Sequence, residues 1–217
     1  MKFLKKIFFG AICILTFSAI SAQQIAVLKY NGGGDWYANP TALPNLIKFC
    51  NNTISTTIKE NPESVAINSS DLFNYPIVFM TGHGNVYFSE EDADNMRNYL
   101  TSGGFLHISD NYGLDKFIRR EIKKIFPSLD FQELPYNHPI FHQTYNFEKG
   151  VPKIHEHDNK VPQGFGLFYE GRLICFYDYE ADLSDGWENE EIHNDSYEIR
   201  IKALKMGANI IKYAFEN

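Results

Sequence analysis

The sequence predicts an α/β fold, with a mostly parallel sheet and helices on both faces. Three observations point to it. Short apolar runs rich in β-formers, such as Tyr75–Met80, alternate with amphipathic segments of helical period. The runs end in glycine-polar turns, TGHG at Thr81–Gly84 and DNYG at Asp110–Gly113. Strand, helix, strand and helix succeed one another through the centre of the chain, the order of a right-handed crossover unit.

Taken from the start, Met1–Lys6 is basic, Ile7–Phe17 apolar and Ser18–Ala22 small, which predicts a signal peptide over residues 1–22 cleaved after Ala22. Export then implies a periplasmic or secreted protein with no stable membrane insertion after cleavage. Residues 23–217 are expected to form a single α/β domain. Gln24–Tyr30 reads as its first strand and NGGGDWY follows at once. The three glycines suit an anion cradle, a shaped site loop or a close backbone approach; neither a dinucleotide fingerprint nor a Walker A run is present, because Asp35 stands where a lysine would be. A helix is predicted over residues 39–52, with Leu43, Leu46, Ile47 and Cys50 inward. Thr56–Lys59 and Val65–Ile67 are short strand candidates, and Asp71–Asn74 a brief helical turn.

After the strand at Tyr75–Met80, Ser89 and Asp92 form a capping-box pair for a helix with Ala93, Met96 and Leu100 on one face. Gly103 and Gly104 end it. Gly104–Ser109 is the next strand, and Leu114–Phe126 the next helix. Phe131–Leu134 is a possible strand. Phe165–Tyr169 and Leu173–Tyr177 read as a hairpin turning at Glu170–Gly171. Two long polar excursions, residues 135–164 and 180–195, are expected to fold over the carboxyl rim of the sheet, being too long for plain linkage. The final helix is expected to be capped by Asp195, with Ile201, Leu204, Ala208 and Ile211 as its apolar stripe.

Without Lys2, Lys5 and Lys6 the balance is 17 basic against 27 acidic residues, a formal charge of −10. That argues against nucleic acid and anionic membranes as partners and leaves a small molecule or glycan. Only Cys50 and Cys175 remain after cleavage, in a predicted helix and strand, with weak support for a disulfide between them.

KIHEHD supplies the sharpest chemical signal. In extended chain it places His155 and His157 on one face, with Asp158 as a third ligand for a divalent metal such as zinc. A histidine–carboxylate network fixing the loop is the rival reading. His83, between two glycines after a strand, suits acid–base work near neutrality. Asp110 is a base, a ligand or only a helix cap. Asp35, Trp36, Asn111, His138, Asp182, Trp187 and His193 are candidate substrate-binding residues, with Trp36 and Trp187 as cleft aromatics. His107, inside a strand, reads as a satisfied core histidine.

YNGGGDWY, YPIVFMTGHG, GGFLHISDNYG, ELPYNHPI, PKIHEHDNK, GRLICFYDYE, DLSDGWE and ALKMGANIIKYA, in this order and over almost all of residues 23–217, resemble the bacterial family known as domain of unknown function 4159. The resemblance implies a three-layer sandwich of the class I glutamine amidotransferase-like or flavodoxin-like kind. It places family-typical polar residues at Asp35, His83, Asp110, Asn111, His138, His142, His155, His157, Asp158, Asp182, Asp185 and His193. Amidotransferases need a cysteine after the elbow strand; here that stretch reads HISDNYG, which disfavours thiolate chemistry. The expectation is a metal-assisted hydrolase of an envelope or extracytoplasmic substrate; the alternative is a non-enzymatic ligand-binding or assembly module of the cell envelope.

Overall fold

The computed structural model describes residues 24–157 and 159–217. The expected signal peptide and Asp158 lie outside them. Seven strands and five helices follow one another: β1 (Ile25–Lys29), α1 (Ala42–Thr53), β2 (Glu63–Ala66), β3 (Ile77–Gly82), α2 (Glu90–Thr101), β4 (Phe105–Asp110), α3 (Asp115–Ile125), β5 (Gln132–Glu133), β6 (Gln163–Tyr169), β7 (Arg172–Tyr179), α4 (Glu190–His193) and α5 (Tyr197–Glu216). They make one mixed sheet in the order β2-β1-β3-β4-β7-β6-β5. The first five strands of that order pair in parallel; β6 and β5 complete it antiparallel.

The alternation of side chains along β3 and β4 explains the layers. Val78, Met80, Leu106 and Ile108 join one core with α2 and α3. Ile77, Phe79 and Phe105 join the other with α1 and α5. Every residue of β3 and β4 is buried, which is why both read as continuous apolar runs. The hairpin of β6 and β7 turns at Glu170 and Gly171, both with positive φ (49° and 81°), as a two-residue turn of matching twist requires. The capping box of α2 is present, with Ser89 accepting from Asp92 N and Asp92 from Ser89 N.

Several expectations are corrected. Thr56–Lys59 forms no strand; instead Asn51 Oδ1 takes the Thr56 hydroxyl and the Ile58 amide, folding the segment as a loop. Ser196, not Asp195, caps α5. Of the expected stripe of α5, Ala208 and Ile211 are buried and Ile201 and Leu204 half-buried; Ala203, Met206, Gly207 and Ile210 complete its buried face. Cys50 and Cys175 are both free and sit in the cores on opposite faces of the sheet, so they do not pair. Trp187 lines no cleft: it is fully buried, donates its indole N–H to Ala203 O at 2.9 Å, and packs on Phe79 and His107.

The glycines after β1 serve close approach. A Cβ on Gly34 would lie 2.7 Å from the carbonyl oxygens of both His83 and Asn85, and Gly34 N donates to Asn85 O at 2.9 Å. Residues 31–35 therefore lie against residues 82–87, where the chain leaves β1 to one side and β3 to the other. That is the switch point of an open α/β sheet.

Gly186 packs equally tightly: an added Cβ would meet Ala203 Cβ, fixed on α5, at 2.5 Å. Gly186→Ala should therefore cost about 1–3 kcal/mol by overpacking, read as a lower urea midpoint. An unchanged midpoint would contradict the seating of this segment on α5.

Candidate functional site

Segment 181–189 crosses the carboxyl rim, and residues from distant parts of the chain hold it there. Ser184 N donates to Ser109 Oγ at 3.3 Å and Ser184 Oγ to Asn111 Oδ1 at 3.0 Å. Asn39 Nδ2 donates to Ser184 Oγ at 2.9 Å and to Asp185 Oδ1 at 2.6 Å. Glu188 Oε1 accepts from Thr41 N and Thr41 Oγ1, and Asn45 Nδ2 donates to Trp187 O. Asn39 has φ 56°, a left-handed conformation that asparagine tolerates better than most residues.

Below this rim runs a buried polar thread. Ser109 Oγ donates to Asp178 Oδ1 at 2.9 Å, and His107 Nε2 lies 2.7 Å from Asp178 Oδ2. The aspartate stands between serine and histidine, so the three do not form a nucleophilic triad. The His107 ring is packed against Phe79, Phe176 and Trp187, as a core histidine. Burial pushes the Asp178 carboxyl up, opposed by His107 and Ser109.

The second excursion partner arrives through Ile154, whose amide donates to Ala181 O at 2.9 Å. This places His155 beside the crossing segment. Its Nδ1 lies 3.2 Å from Asp185 Oδ2, and its Nε2 3.0 Å from both oxygens of Asp195. His193 Nε2 is 4.0 Å from the same Asp185 oxygen, and the two imidazoles are 5.0 Å apart between centroids. Ligand atoms of His155, Asp185 and His193 all fall within 4.8 Å of one another. Hydrogen bonds from the His155 ring to Asp185, and then to Asp195, outweigh burial and raise the His155 pKa to about 9.

The sequence proposed His155, His157 and Asp158 as ligands. In the structure His157 turns away from His155: its Nε2 contacts Asp182 Oδ2 and its ring lies 4.8 Å from that of Tyr112. Asp182 is buried, with φ 50°; burial, then the charge of Asp185, pushes its carboxyl up to about 6. Asn111 Nδ2 is a buried donor without a hydrogen-bond partner.

At the switch point Asp35 holds His83. Asp35 Oδ1 accepts from His83 N, and Asp35 Oδ2 lies 3.0 Å from His83 Nδ1. Burial pushes the Asp35 carboxyl up, but hydrogen bonds from the backbone and ring of His83 prevail and hold it below the usual range. The His83 side chain is 55% exposed. Asp110 caps the turn before α3: Oδ1 accepts from Leu114 N and Oδ2 from the Tyr177 hydroxyl. Burial raises its pKa to about 6.

The first excursion only partly reaches the rim. Asn209 on α5 binds Thr144 and Tyr145, holding the earlier half against the helix. His138, with its pKa lowered by burial, packs by Phe168 and Tyr213; Phe168 pairs with Leu173 at the amino end of β7, away from the rim. His138 is thus corrected from a site residue to a packing one. His142 is engaged by Asn146 and by Tyr136 O. Asn39 enters the site unforeseen, and Asp185 and Asp195 join it from the acidic loop. Asn39 before Pro40 looked like a helix start, and Asp195 like a cap, so only the spacing of Asp185 to His193 within one acidic loop was a signal.

Two pH windows follow. In metal-free protein the raised pKa of His155 stabilises the fold fully below about pH 6.5 and is lost as pH rises through about 9, an effect of up to about 3 kcal/mol. Thermal midpoints should fall across that window, and His155→Gln should flatten the fall; a wild-type midpoint constant from pH 6.5 to 9.5 would contradict the pairing. Asp110 acts oppositely in origin: its raised pKa means the native state holds a proton longer, so its contribution falls from about pH 4 to 6. Asp110→Asn should remove that part of the slope, measured on the same midpoints.

No curated protein matches the chain. Among the described residues no helix is long and apolar enough to cross a membrane. A family model, Domain of unknown function (DUF4159), matches residues 24–215, the region over which the motifs above suggested this family. The chain belongs to the DUF4159 family.

Proposed function

We propose that His155, Asp185 and His193 hold a divalent cation such as zinc, and that the protein is a metal-assisted hydrolase acting outside the cytoplasm. The observation that supports this is the division of labour among atoms. Asp185 Oδ1 is taken by Asn39 and His155 Nε2 by Asp195, so Asp185 Oδ2 and His155 Nδ1 are left facing each other. Ligating histidines and carboxylates are oriented in this way by outer partners. Three protein ligands, the exposed imidazole of His193 among them, leave a coordination position for water.

A cation so bound lowers the pKa of its water. His83 is the proton carrier: Asp35 fixes its Nδ1 side and leaves Nε2 free, as a carboxylate orients a catalytic base. Asp110, both of whose oxygens are engaged, holds the turn before α3 rather than serving as the base. The finer fold kinship, with class I glutamine amidotransferase-like proteins, is supported by the parallel order and by the rim site at the switch point. Among the described residues thiolate chemistry has no candidate, since Cys50 and Cys175 are both buried and burial pushes both thiols up. A second reading, a non-enzymatic binding module, is favoured by the carboxylates that already pair His155 on both ring nitrogens.

Calorimetric titration of chelator-stripped protein with zinc at pH 7 should give one ion per chain and release of about one proton, the one His155 carries. His155→Ala and His193→Ala should each abolish tight binding, and Asp195→Asn should weaken it by about 10–100-fold. Absence of binding, or binding indifferent to His155→Ala, sinks the centre. With zinc loaded, hydrolysis of 4-nitrophenyl acetate should fall about 100-fold or more in His83→Gln while zinc affinity stays unchanged. Zinc binding without turnover would favour the binding module.

A further inference from the structure

A cavity of about 310 Å³ opens beside the centre, between the loop after β1, the start of α1 and the edge strand β2. Trp36, Tyr37 and Leu43 give it apolar walls, and Asn39, Asn61 and Ser64 a polar margin. Its volume is at the lower end of small-ligand pockets. Asn39 belongs to both places: it lines the cavity, and its side chain binds Asp185 Oδ1 at 2.6 Å. A molecule seated there lies one side chain from the cation ligands. The same loop holds Asp35 against His83.

Resting on the reading of the centre given above, we propose that this cavity is its substrate subsite and takes an uncharged sugar ring. The lining contains Glu63, and the Lys29 ammonium 5.3 Å from the Trp36 ring centroid balances it, so the space carries little net charge and suits a neutral ligand better than a phosphate or carboxylate. An aliphatic chain would leave the amides of Asn39 and Asn61 and the Ser64 hydroxyl facing it unpaired, and unpaired polar groups are costly on binding. A pyranose offers both halves of what the walls need. One face is formed by C–H groups and packs on the Trp36 indole, while its equatorial hydroxyls meet the amides and the serine. Both hydrogens of Asn39 Nδ2 are already donated to Ser184 and Asp185, so Asn39 presents its Oδ1 as an acceptor for a sugar hydroxyl.

The chain contains two tryptophans, and Trp187 is fully buried in the core, so ligand-dependent emission reports on Trp36. The experiment titrates chelator-stripped protein with methyl β-glucopyranoside and N-acetylglucosamine, and with glucose 6-phosphate, hexanoate and benzyl alcohol as comparators. The neutral sugars should shift Trp36 emission saturably in the millimolar range, with glucose 6-phosphate about tenfold weaker or worse. Trp36→Ala should abolish the response in solution calorimetry, Trp36→Tyr should retain binding, and Asn61→Ala, an exposed change, should weaken it several-fold. No saturable response to either neutral sugar, or a response to benzyl alcohol or hexanoate in their place, overturns the proposal. Because the assay is run without metal, sugar binding with no zinc binding removes the centre alone, and zinc binding with no sugar binding removes the subsite alone.

Discussion

The amide of Asn39 donates one hydrogen to Ser184 Oγ and the other to Asp185 Oδ1, tying the loop after β1 to the segment that crosses the rim after β7. The rest of the site depends on that tie. It fixes which Asp185 oxygen is free, and it sets the crossing segment to which Ile154, and hence His155, is bound. Four residues earlier on the same loop, Asp35 sets the His83 ring. One loop thus ties down Asp185 and His83 and carries Trp36, the side chains to which the proposal gives the roles of cation ligand, proton carrier and aromatic wall. The glycines before it let it lie directly against residues 82–87.

The core beneath explains why such a loop stays put. Trp187 is driven into the space between Phe79, His107 and α5, and its neighbours Gly186 and Asp185 are carried with it. Burial of a side chain of this size stabilises by several kcal/mol, more than any one hydrogen bond of the rim. Packing therefore supplies the energy, and the polar thread from His107 through Asp178, Ser109 and Ser184 to Asn39 supplies the register. Each buried polar group of that thread is partnered, except the amide nitrogen of Asn111.

The fold was legible because its signals are local. The apolar runs of β3 and β4, the Ser89 capping box, the turn at Glu170–Gly171 and the glycine-polar strand ends each state their structure within a few residues. The site was legible only in part. His155 and His83 were visible as histidines in unusual settings, and both are on the rim. Asp35 and Asp185 were among the expected polar residues, but nothing local tied Asp185 and Asp195, 30 and 40 positions on, to His155, or Asn39 to Asp185; tertiary folding alone brings them together. The i, i+2 spacing of His155 and His157 suggested one face, but the chain there is irregular, and Asp182 takes His157 to a different neighbour. Trp187 misled for a related reason: polar neighbours in sequence do not prevent burial when the loop folds back on the core.

X-ray absorption spectroscopy of the zinc-loaded protein addresses the central assignment most directly. The account predicts a shell of two imidazole nitrogens and carboxylate or water oxygens at about 2.0–2.2 Å, with one imidazole contribution lost in His193→Ala. A shell lacking imidazole, or one that loses an imidazole in His157→Ala and is unchanged in His193→Ala, would contradict it.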